Sequence, residues 1–140
     1  MRRWIAISAG IVFGVVPATF LLLWVVVFLV AAFAGSPEGV EVDVTIVWWR
    51  VALFFLTAGG TVVGYVALLL AVKGPTTHRN VIGLLVGVAA NLYGIRMAWD
   101  LNSYAMSQWS NWYWFASPIV VALAYVLSHF VQSGRNDGAA

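Results

Sequence analysis

The amino-acid sequence predicts an all-α integral membrane protein, a four-helix up-down bundle with its N-terminus and C-terminus both cytoplasmic. Three observations carry that reading. The 140 residues are 63% hydrophobic and only 9% charged, with a mean hydropathy of +0.94. A soluble domain normally carries about a quarter charged residues, so this chain lacks the polar surface to cover a core in water. Its apolar residues fall into four runs, each close to or above the roughly 20 residues a helix needs to cross hydrocarbon. Five of its seven Lys and Arg fall on one side of those runs when the crossings are even in number. A single domain, 1–140, is expected at this length.

The first helix is expected over about residues 4–34, since no charged residue lies between Trp4 and Ala34. Pro17 sits mid-run and should kink it, with the freed carbonyl taken up by neighbouring groups. Arg2 and Arg3 followed by an apolar run, with Ala32-Phe33-Ala34 beyond, resemble the flanks of a secretory signal. A signal's apolar core is about 7–15 residues, however, so an uncleaved first crossing is expected. The second helix covers about 46–72 and is interrupted by Arg50. The third covers about 80–100 and contains Asn91 and Arg96. The fourth covers about 112–132. The connections GSPEGVEVDVT, KGPTTHRN and residues 100–111 carry the Gly, Pro, Ser and Asn signals of turns. The tail QSGRNDGAA is expected to fray. Residues 40–46, VEVDVTI, alternate with a strand period. They suggest a short extended segment on the outer surface, or an edge to which a partner strand adds.

Orientation follows from the charges. Arg2, Arg3, Lys73, Arg79 and Arg135 fall on one side, and Glu38, Glu41, Asp43 and Asp100 on the other. Lys and Arg favour the cytoplasmic side, which places both termini there, in the cell membrane.

Three pairs of glycines at i, i+4 spacing, Gly10/Gly14, Gly60/Gly64 and Gly83/Gly87, put small residues on one helix face each. Such faces let backbones approach closely where lipid supplies no hydrophobic drive. Packing within one bundle is the plain reading and a dimer face the alternative. Counted at 1.5 Å per residue from the cytoplasmic ends, Thr61, Asn91 and Ser117 each lie about 18 Å up, which suggests a polar layer mid-membrane. An amide alone in hydrocarbon is expensive, so Asn91 should face inward.

Asp100 stands at the negative end of its helix dipole and Arg50 at the positive end of its own, so each is at the unfavourable end. Both reach the outer level by the same count, about 31–34 Å up. An outer cluster of Arg50, Arg96 and Asp100, with Asp43 as a second carboxylate, is expected to compensate them. It reads as a clamp or an interface anchor, or alternatively as a vestibule leading toward Asn91.

Residues 99–115, WDLNSYAMSQWSNWYWF, are dense in aromatics. Amphipathic rings favour the headgroup zone, so an interfacial belt is the default. A quinone, pigment or lipid pocket is the alternative, and it requires rings that face inward.

Enzymatic chemistry is poorly represented. There is no HExxH and no GxSxG, and no histidine lies in the apolar core. Ser8 and Ser117 have no evident base. The absence of cysteine removes thiolate metal sites and thiol nucleophiles. No catalytic, cofactor or metal residues are therefore assigned. The seven Lys and Arg form no basic stripe, which argues against nucleic acid. The sequence reads as a non-enzymatic accessory or assembly subunit whose partners are membrane lipids and other membrane subunits or further copies of itself. The alternative is a small transporter, channel or sensor.

Overall fold

In a computed structural model, residues 2–34, 48–101 and 103–137 are described, and all of their regular elements are helical. The chain runs α1 (Arg2–Gly10), a π-helical turn (Ile11–Val15), α2 (Val16–Ala34), α3 (Trp48–Lys73), α4 (His78–Leu101), α5 (Ser103–Ser107) and α6 (Trp109–Asp137). Four stretches are long and apolar enough to cross a membrane: Arg3–Val27, Val51–Lys73, His78–Asp100 and Trp109–Asn136. Only 22–33% of each is buried within the protein. The rest displays large apolar side chains such as Leu23, Leu56, Ile82, Val120 and Leu127 outward. Water would not tolerate apolar faces of that extent, and lipid does.

The first crossing is continuous through its π turn, where the Val16 N–H bonds to the Ile11 carbonyl. In that wider register the next donor would reach Val12, but residue 17 is proline and has no N–H. The Tyr113 hydroxyl of α6 fills the gap and donates to the Val12 carbonyl at 2.6 Å. One turn on, Thr19 Oγ1 donates to the Val15 carbonyl at 2.7 Å. Pro17 itself is almost fully buried.

Lys73 ends α3, and the Gly74 N–H closes its last turn on the Leu70 carbonyl. Pro75 then prevents continuation. Thr77 caps α4: its Oγ1 receives the Asn80 N–H, and its carbonyl receives the Val81 N–H. So short a connection folds α4 back along α3. Gly64 and Gly87 meet at the crossing, and a Cβ built on either would overlap the Cα of the other. On each side of them Gly60 faces Ala90 and Gly83 faces Ala67, at 2.7 and 2.8 Å from a built Cβ. The register is antiparallel. Gly10 and Gly14 make room instead for Tyr125 and Val121 of α6.

Two differences from the sequence expectation concern the fourth crossing. Residues 100–111, expected as a turn, are largely helical: α4 runs to Leu101, α5 covers Ser103–Ser107 and α6 starts at Trp109. α6 also runs on to Asp137 through Gly134, past the expected end near residue 132. The segment 40–46 and Asp43 lie outside the described residues.

The tightest packing lies in the half nearer Lys73, His78 and Arg135, hereafter the basic half. Ala67, Leu68, Leu84, Val88, Ala122 and Val126 form its core, and Leu84 is 1% exposed. Small side chains close that half, and the opposite half is more open.

Candidate functional site

The opposite half contains a cavity of about 480 Å³, within the size range of small-molecule sites. All four crossings and α5 contribute to it. Its walls are aromatic: Phe20 and Trp24 from α2, Phe54 from α3, Trp114 and Phe115 from α6. The rings of Phe20 and Trp114 lie 4.3 Å apart with planes inclined by 31°, and Trp24 meets Phe20 edge-on at 6.2 Å. Met97, Met106 and Ala98 complete an apolar lining.

The aromatic run of α6 thus divides. Trp109 is 91% exposed, and Trp112, Trp99 and Trp49 are exposed too. These suit an interfacial belt. Trp114 and Phe115 turn inward. In a stretch where nearly every residue is aromatic, no periodicity distinguishes the two sets. The inward facing of Trp114 was therefore not readable from the sequence.

Polar groups enter the cavity at its floor, and Asn111 of α6 lines it as well. Asn91 and Thr61 line it together, with Thr57 one turn above Thr61. The threonine protons are already committed. Thr61 Oγ1 donates to the Thr57 carbonyl and Thr57 Oγ1 to the Leu53 carbonyl, both at 2.8 Å. Each hydroxyl keeps lone pairs for a donor in the cavity. The Asn91 amide differs, since no side-chain hydrogen bond reaches it from any described residue. It presents two donors and an acceptor to the cavity. Below it Asn91 and Thr61 also line a small hollow of about 20 Å³ with Tyr65 and Pro118, room for about one water. Ser117 is not part of this group, for its hydroxyl bonds the Tyr113 carbonyl of its own helix and it lines neither space.

The charged residues lie elsewhere. Arg96 Nε and Asp100 Oδ2 pair at 3.2 Å one turn apart on α4, with side chains 77% and 59% exposed. They border an exposed hollow with Leu92, Ile95 and Trp99, which shares no residue with the aromatic cavity. Arg50 lies in α3, and its side chain is outside the described ones, as is Asp43.

At the basic end the fold joins two histidines that lie far apart in the chain. His129 of α6 stands against His78, the first residue of α4, with rings 4.7 Å apart and nearly perpendicular. Fifty-one positions separate them, and no local signal links them.

Fold and cavity together define a class: an all-helical protein with four helices long and apolar enough to cross a membrane, and an aromatic cavity between them. Comparison with protein-family models, with curated proteins and with solved structures finds no match to this chain.

Proposed function

We propose that this chain is a non-enzymatic, multi-pass protein of the cell membrane that holds a lipophilic, ring-bearing molecule in its aromatic cavity. The four helices run up-down with both ends cytoplasmic, a reading supported by the antiparallel register of α3 and α4 and by the basic residues at one end. The cavity then lies in the outer half of the bilayer. Lipophilic molecules concentrate there, and walls of Phe and Trp suit a planar ring.

The single observation that carries the proposal is the uncommitted Asn91 amide facing this cavity. An unbonded amide among apolar side chains is costly. A carbonyl or hydroxyl on the guest removes that cost and fixes its orientation, so quinone- or phenol-like rings are the favoured class. Holding such a molecule suits an accessory subunit that supplies or positions it for other membrane subunits. A path from the ionic pair to Asn91, as a transporter would need, gains no support, because Arg96 and Asp100 open onto a separate exposed hollow.

The test is a titration of the detergent-solubilised protein with a lipophilic naphthoquinone, read by quenching of tryptophan fluorescence. Wild type should show a saturable component. Asn91→Leu should weaken it about tenfold, the worth of one hydrogen bond of about 1.4 kcal/mol. Ala98→Phe, which fills the cavity, should abolish it. Linear, unsaturable quenching alike in all three proteins refutes the proposal.

A further inference from the structure

A separate observation at the opposite end of the bundle points to a metal site. We propose that His78 and His129 form the two-nitrogen edge of a tetrahedral site for a divalent transition ion, zinc being the best fit. His129 Nδ1 lies 2.9 Å from the Thr76 carbonyl. A carbonyl oxygen only accepts, so Nδ1 must carry the proton. That leaves the lone pair of His129 on Nε2, and Nε2 is the atom facing His78 Nδ1, at 3.4 Å. A backbone carbonyl holding the far nitrogen of an imidazole is the usual support of a metal-bound histidine.

The separation, which also lies within hydrogen-bond range, fits a tetrahedral ion better than a square-planar one. Zinc–nitrogen bonds of about 2.0–2.1 Å at tetrahedral angles set two ligand nitrogens about 3.3–3.4 Å apart. A square-planar ion with bonds of that length needs about 2.9 Å. The observed 3.4 Å matches the first. Perpendicular ring planes allow two lone pairs to converge from different helices without the rings colliding.

His78 is exposed and His129 half-buried, so the ion would sit at the rim with its remaining positions open to water. Among the described residues no third His, Asp or Glu joins the pair. Lys73 and Arg79 add positive charge at this end. Both facts make the site exchangeable rather than permanent. Bound there, the ion would pin the first turn of α4 to α6, and through Thr76 to the connection that follows α3.

The experiment uses the full chain, purified without a histidine tag in detergent and titrated calorimetrically with zinc chloride. Wild type should show one saturable event, reversed by EDTA. His78→Gln and His129→Gln should each weaken it at least tenfold. Added zinc should also raise the melting temperature of the wild type by a few degrees and leave both variants unmoved, as linkage requires. His78 is exposed, so its variant folds even if the His129 change proves disruptive. No saturable event in the wild type, or equal affinity in wild type and His78→Gln, overturns the proposal.

Discussion

Gly64 and Gly87 face each other backbone to backbone in the middle of α3 and α4, so close that a Cβ built on either would overlap the other's Cα. Neither position has room for a Cβ. Gly64→Leu or Gly87→Leu should therefore prevent normal folding, with a loss of more than about 3 kcal/mol, because backbone cannot retreat as a side-chain tip can. Gly94 and Gly59 have open space around a built Cβ. Gly94→Ala and Gly59→Ala should be neutral or stabilising by about 0.5–1 kcal/mol. Thermal unfolding in detergent checks both halves of the contrast.

Tyr113 and Pro17 should be thermodynamically coupled. Tyr113→Phe removes the donor to the Val12 carbonyl and should cost about 1–3 kcal/mol, since that carbonyl is left without its partner. Pro17→Ala restores a backbone N–H to the helix. In that background Tyr113→Phe should cost much less. A double-mutant cycle measures the difference, and additive losses would contradict the coupling.

Much of this was legible in the sequence, and the limits have physical causes. The four crossings follow from the length and apolarity of their runs, which lipid enforces on any chain. The inward face of each helix does not follow. A helix such as α2, apolar all round, presents no stripe to distinguish lipid from neighbour. Asn91 could be expected to face inward because an amide in lipid is costly. That its amide meets a cavity rather than another side chain depends on where α2 and α6 stand. Pro17 signalled a bend, but the π turn and its rescue by Tyr113 needed the fold. The His78–His129 pair arises from two helix ends meeting in space, and no spacing rule spans 51 residues.

Exposure sets the worth of the Arg96–Asp100 pair. Two charges one turn apart on a helix surface, both mostly solvated, contribute less than about 1 kcal/mol. Asp100→Asn should lower stability by no more than that, and the effect should fade at high salt. A loss of several kcal/mol, unchanged by salt, would instead indicate a second partner for Asp100. Repeating the measurement in Arg50→Gln would then identify it.

Reporter fusions test the orientation. Cytoplasm-active reporters at the N-terminus and at the C-terminus should both be active, and a reporter placed in the 35–47 connection should behave as external. Ends on opposite sides would rule out an even number of crossings and would move the aromatic cavity's assigned leaflet.

The most direct test of the central claim is the identity of what travels with the protein. Wild type and Ala98→Phe, purified in mild detergent from the same membranes, are extracted with organic solvent and analysed by mass spectrometry. A lipophilic, ring-bearing compound with a carbonyl or hydroxyl should appear in near-stoichiometric amount with the wild type and be lost from the variant. Equal traces of bulk membrane lipid in both, with no compound enriched in the wild type, would contradict it.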